Sequence, residues 1–154
     1  MDNSKKSCVA IICHGDKILL FLRDNNPNIT NPNKWQLPGG GPEDSESIYV
    51  TIRRELSEEV SFAPKNLKYL GWRIRRNGII QYFFMYFAKN KEVPLFKLGN
   101  TEGQVIKFYT IKEMLKLDLV KYFRKFINRN RKALENALKS KKAPSSWQLG
   151  LRQG

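Results

Sequence analysis

Apolar residues fall along the chain in short runs of strand length and in two stretches of helical spacing. Cys8 to Cys13 and Lys17 to Arg23 are apolar runs separated by His14-Gly15-Asp16, which predicts a β-hairpin with the single histidine at its turn. Asp24 to Lys34, rich in Asn and Pro, reads as a loop that delivers Trp35 to the glycine turn at Gly39 and Gly40. Ile48, Ile52, Leu56 and Val60 recur every fourth position and predict a helix with one face on a core, capped by Ser45 or Ser47. Leu67 to Arg75 and Ile79 to Ala88 form a second antiparallel pair around Arg76-Asn77-Gly78, and Gly103 to Tyr109 adds a strand. Thr110 then caps Ile111 to Leu117. From Leu119 a long helix sets Val120, Phe123, Ile127, Leu134 and Leu138 on one side and Lys121, Lys125, Arg129 and Lys132 on the other, so its apolar stripe is expected on the sheet. Residues 140–154 read as a loose basic tail, in which Trp147 and Leu149 are the residues able to dock. The order of elements predicts an α/β fold with helices covering a mixed β-sheet.

Composition bounds this picture. A chain of 154 residues, 41% hydrophobic and 12% aromatic, is long enough for one domain with a real core. The longest apolar runs, Ile18 to Leu22 and Tyr82 to Ala88, are far short of a membrane span, and the polar start Met1 to Lys6 lacks the apolar centre of a signal peptide. The expected location is cytoplasmic. Cys8 and Cys13 have opposite parity on one strand, which places them on opposite faces as reduced packing residues. The net charge of +14 is unevenly spread: residues 112–142 hold 11 Lys and Arg against 3 Asp and Glu, a net of +8. Such a surface attracts polyanions, whether phosphate-rich small molecules, RNA or an acidic membrane leaflet; the alternative is a solvated helix face.

The chemistry concentrates between Gly40 and Phe62. On the helix that begins near Ile48, Glu55, Glu58 and Glu59 share about a third of the circumference, with Glu46 roughly one turn before the helix body. Crowded like charges raise one another's pKa, so a sequence that clusters them usually supplies a compensating cation. Oxygen-only ligands favour Mg²⁺, with Mn²⁺ as the alternative. Without further context, the ordinary reading of a bare Glu-x-x-Glu-Glu is a solvated helix face on which Arg53, Arg54 and the glutamates form surface pairs.

The spacing resembles the Nudix box, Gly-x5-Glu-x7-Arg-Glu-U-x-Glu-Glu-x-Gly-U, where U is a bulky aliphatic residue. Gly40, Glu46, Arg54, Glu55, Leu56, Glu58 and Glu59 match it, and Trp35-Gln36-Leu37-Pro38-Gly39-Gly40 is similar to the segment that leads into the box in MutT-like members. Ser61 stands where the family has glycine, Phe62 where it has an aliphatic residue, and Ser45 where many members have glycine. Position 61 is expected to need a helix-ending φ above zero, which serine adopts only at a cost.

This resemblance, covering roughly residues 7–138, implies a Nudix-type α/β/α sandwich over residues 1–139 with the long basic helix at its C-terminal end. It further implies metal-dependent hydrolysis of a nucleoside diphosphate linked to a moiety X. Glu55, Glu58 and Glu59 correspond to the metal-binding glutamates, Arg54 to the arginine that orients a neighbouring glutamate, and Glu46 to the residue that positions the helix. Gly39 and Gly40 would bring backbone close to the metal and substrate. Glu102, in Thr101-Glu102-Gly103-Gln104, corresponds to a glutamate that reaches the metal site from a second segment, as ligand or general base. Which of Glu55, Glu58 and Glu102 deprotonates water stays open. Arg23 matches a position that contacts substrate phosphate, and Trp35 and Tyr82 are candidate substrate contacts. The leading expectation is a nucleoside triphosphate or nucleotide-sugar pyrophosphohydrolase. The alternatives are an enzyme acting on RNA 5′ ends, for which the basic helix speaks, and a degenerate Nudix module that binds nucleotides without cleaving them.

Overall fold

Apolar residues on both sides of the first strand dictate that it lies at the middle of the sheet, with a helix layer on each face. The computed structural model describes residues 5–154, so the polar start Met1 to Ser4 lies outside them. The described elements are β1 (Lys6–His14), β2 (Lys17–Leu22), β3 (Trp35–Gln36), β4 (Gly39–Gly40), α1 (Ile48–Val60), β5 (Lys68–Ile74), β6 (Ile80–Phe87), β7 (Val105–Thr110), α2 (Ile111–Met114) and α3 (Lys121–Ser140). Short 3-10 helices, Asn90–Leu95 and Trp147–Leu149, complete the chain. No helix is long and apolar enough to cross a membrane among the described residues.

The strands form one mixed sheet. β1 pairs in parallel with β6 from Lys6↔Ile80 to Cys13↔Phe87, and antiparallel with β2 and with the two-residue β4. β5 and β7 extend the sheet antiparallel on either side. The alternation of β1 sends Cys8, Ala10 and Ile12 towards α1, where Ile52, Leu56 and Val60 cover them. Val9, Ile11 and Cys13 face the other way, under Phe123, Phe126, Ile127 and Leu134 of α3. The expected α/β/α sandwich is the observed architecture, and the two cysteines are buried, unpaired and on opposite faces.

Two boundaries moved for local reasons. Leu119 is drawn into a parallel bridge with Trp35, so α3 starts only at Lys121. The reading of residues 140–154 as a loose tail is corrected: Leu149 and Leu151 are buried in the α3-side core, and Arg152 exchanges both backbone hydrogen bonds with Trp72 at 2.9 and 2.8 Å. An open strand edge on β5 offers unpaired N–H and C=O groups, and two leucines beside it supply apolar area to bury. Trp147, the other docking candidate, stays 76% exposed.

Candidate active site

The site begins with a turn that tolerates no side chain. Gly39 has φ of 149°, and a Cβ there would strike the carbonyl of Cys8; a Cβ on Gly40 would come within 2.5 Å of the Glu55 carboxylate. Pairing of Gly39 and Gly40 with Val9 and Cys8 therefore lays bare backbone against α1. The Gly39 N–H donates to Glu59 Oε1 at 2.7 Å.

Ser47 caps α1, its hydroxyl accepting from the Val50 N–H at 3.2 Å. At the other end Ser61 adopts φ of 64°, the left-handed helix end expected at this position, and its hydroxyl donates to the Lys97 carbonyl at 2.9 Å. That bond offsets part of the cost of a left-handed serine. The positive φ near the helix entry falls on Asp44, leaving Ser45 unstrained.

Arg54 organises the exposed side of the cluster. Its Nε and Nη2 donate to the two oxygens of Glu46 at 2.8 and 3.0 Å, Nη1 to Glu55 at 3.1 Å and to Glu58 at 3.2 Å, and Nη2 to the Gly41 carbonyl at 2.9 Å. A planar fork of donors is what such simultaneous contacts require. These bonds, with the Glu43 N–H and the Thr51 hydroxyl, hold the Glu46 carboxyl down at about 2.

Glu55, Glu59 and Glu102 form a separate set: one carboxylate oxygen from each lies within 4.8 Å of the others. Burial raises Glu55 despite Arg54. Glu59, only 2% exposed, is pushed up to about 9 by burial, against the Gly39 N–H and with help from the Glu55 and Glu102 charges. Three hard oxygen donors, one of them a buried carboxyl held by the Gly39 N–H, fit a divalent cation, which would favour its ionised form. Bare surface ion pairing, the other reading of this helix, accounts for Arg54 with Glu46, Glu55 and Glu58 but not for Glu59 and Glu102 facing Glu55.

The remaining candidates are dispersed. Glu58 is exposed and turned to Arg54, outside the three-carboxylate set. The Arg23 Nε donates to the Thr30 carbonyl at 2.8 Å, within its own loop. Trp35 hydrogen-bonds through its backbone to Asp118 and Val120, both at 2.9 Å, and packs edge-on against Tyr109, so it fastens the loop to the start of α3. Tyr82 sits half-buried among Tyr69 and Phe84 on the α1 face, two strands from Gly40. Sequence reading missed Thr51, which is buried with its hydroxyl bonded to Glu46 and the Ser47 carbonyl. It also missed Gly99, whose N–H donates to the Glu59 backbone carbonyl at 2.9 Å where a Cβ would collide with the Glu58 carbonyl. Only the Leu98-Gly99-Asn100 turn composition marks the latter.

A family model for the NUDIX domain matches residues 4–129. The chain is 50% identical over 69 residues to an RNA pyrophosphohydrolase of Pasteurella multocida, a match spanning 45% of this chain and 32% of that relative. It is 30% identical over 112 residues to an 8-oxo-dGTP diphosphatase of Buchnera aphidicola, covering 68% of this chain and 78% of the relative. Its fold is similar to the Nudix domain of Shewanella oneidensis NrtR solved with ADP-ribose, with a TM-score of 0.69, 19% identity, and coverage of 87% and 90%. The chain belongs to the Nudix family, whose hydrolases act on phosphoanhydride bonds.

Proposed function

We propose that the chain is a cytoplasmic, metal-dependent pyrophosphohydrolase of nucleoside 5′-polyphosphates. The observation that carries this reading is the convergence of Glu55 and Glu59 from α1 with Glu102 from the segment before β7. Glu55, Glu59 and Glu102 would hold Mg²⁺ or Mn²⁺, with Glu58 and the Gly39 backbone adjoining. Bound divalent ions supply charge neutralisation at the phosphate oxygens and acidify water.

The protein's own contribution is positional. Arg54 fixes Glu55 and Glu58, Glu46 fixes Arg54, and the Gly39 N–H fixes Glu59. The glycine turn lets the backbone pack directly against the Cys8 carbonyl and the Glu55 carboxylate, where a side chain would collide. Of the carboxylates with solvent access, Glu58 is engaged by Arg54, which leaves Glu102 to accept the proton as a water oxygen bonds to phosphorus and the anhydride P–O bond breaks. The test is a product-resolved screen of nucleoside triphosphates, dinucleoside polyphosphates, nucleotide sugars and 5′-triphosphorylated RNA with and without Mg²⁺. Glu55→Gln and Glu102→Gln are expected to lower turnover by about 100-fold or more; undiminished phosphate release from both would refute the assignment.

A second reading, hydrolysis of the 5′-triphosphate end of RNA, is supported by a basic groove described next and by the name of the Pasteurella multocida relative. The screen separates the two by relative turnover on free and RNA-borne triphosphate.

A further inference from the structure

Three of the basic residues of α3 line a groove of about 570 Å³. One wall is the β5–β6 hairpin with Arg73, Arg75 and Arg76, and the other is α3 with Lys121, Lys125 and Arg129. The docked C-terminal segment brings Arg152 to a third side. No acidic residue lines the groove, and none of its cations is in an ion pair among the described residues. A solvated helix face would diverge into water, whereas these groups converge from three elements.

Several are built into place by aromatic rings. The Arg75 guanidinium lies 4.0 Å from the centroid of Tyr122, Arg73 5.1 Å from Phe126, and Arg152 5.3 Å from Trp72. Stacking in this way holds a guanidinium while leaving its N–H edge available. The Nε of Arg75 is buried without a hydrogen-bond partner among the described residues, a costly arrangement. Arg73 is pushed down to about 10 by burial and by the charges of Arg75 and Arg129, so the cations already crowd one another.

The groove lies on the α3 face of the sheet and the carboxylates on the α1 side, and the segment from Gln36 to Gly39 runs between them. It shares Arg73, Tyr122 and Phe126 with a small cavity lined by Gln36 and Leu37. Gln36 lies three residues before Gly39, a span of at most about 10 Å, and the Gly39 N–H holds Glu59.

We propose that this groove binds the phosphodiester backbone of a single-stranded RNA whose 5′ phosphoanhydride lies at the carboxylate cluster. The inference rests on the pyrophosphohydrolase reading for where the 5′ end goes, and on the groove alone for the strand. A free nucleotide concentrates its charge in one polyphosphate; cations spaced over two elements and a tail match a ligand with one charge per nucleotide. The guanidinium planes stacked on those rings present their outer faces to unstacked bases. A concave channel is a poor match to a flat lipid surface.

The test measures binding of a 5′-triphosphorylated RNA of about ten nucleotides to the full chain across a salt series. The variant carrying Arg76→Glu, Lys125→Glu and Arg129→Glu alters only exposed residues. Its RNA affinity is expected to fall about tenfold or more, and its log–log salt slope to flatten by about 2, since each lost single-strand phosphate contact removes about 0.7. A milder Lys125→Gln, Arg129→Gln pair should show a smaller loss of the same sign, and unchanged thermal midpoints establish that both fold. Wild-type affinity and slope in the triple variant overturn the proposal, as does loss of binding to phosphatidylserine vesicles with RNA binding retained. Nucleoside triphosphate hydrolysis by the unaltered chain is followed in parallel. Groove-dependent RNA binding without hydrolysis would sink the catalytic reading and leave the groove standing; hydrolysis without RNA binding would sink the groove alone.

Discussion

Glu59→Gln is expected to stabilise the metal-free protein while removing the response to metal. Glu59 is 2% exposed and its carboxyl is raised to about 9, from 4.5 for the free group. Between those values the folded state binds more protons than the unfolded chain, so stability falls as pH rises through this window. At pH 7 the gap of about 2.5 units above the unfolded value corresponds to roughly 3 kcal/mol. Glutamine keeps an acceptor for the Gly39 N–H and offers donors to Glu55 and Glu102, without an ionisation to suppress. The variant should match wild type near pH 4.5, exceed it by about 3 kcal/mol at pH 7, and gain further towards pH 9. For a chain of this size that is about 6 to 12 °C in thermal midpoint at pH 7. The assay is thermal and urea unfolding of chelator-treated protein across pH, repeated with Mg²⁺, which should raise the wild-type midpoint far more than the variant's. Parallel pH curves for the two proteins would refute the assignment of Glu59 as a suppressed buried acid.

Arg54→Lys replaces a fork serving Glu46, Glu55 and Glu58 by one ammonium, so turnover should fall about tenfold or more while circular dichroism stays unchanged; wild-type kinetics would show that Arg54 is not the organiser. Gly40→Ala places a methyl within 2.5 Å of the Glu55 carboxylate, and weaker Mg²⁺ binding by calorimetry is expected, with wild-type affinity counting against a tight turn. Leu149→Ala and Leu151→Ala should each cost about 2 to 4 kcal/mol in urea unfolding, because both side chains are buried; a cost near zero would mean that the C-terminal segment is not docked in solution.

How much of this was legible in the sequence follows from how local each cause is. The stripe Ile48, Ile52, Leu56 and Val60 fixes α1 by its period, and Asn77-Gly78 fixes the β5–β6 turn by its chemistry, so both lie where expected. Glu102 meets Glu55 and Glu59 although more than 40 residues separate it from them, which no spacing reveals; only the resemblance pointed there. The tie between Trp35 and the start of α3 was not legible, because an aromatic residue before a glycine turn gives no hint of its backbone bonds to Asp118 and Val120. The basic groove was half legible. Periodicity put Lys121, Lys125 and Arg129 on one helix face, but the hairpin arginines and Arg152 join them only through tertiary packing.

The placement of Cys8 and Cys13 makes the chain its own reporter of opening. Both thiols are fully buried and pushed up to about 12, Cys8 by burial and the Glu55 and Glu46 charges, Cys13 by burial alone. An alkylating reagent therefore finds neither until a helix lifts from the sheet. Because Cys8 lies under α1 and Cys13 under α3, the two labelling rates time the departure of each layer separately, the carboxylate-bearing one and the basic one.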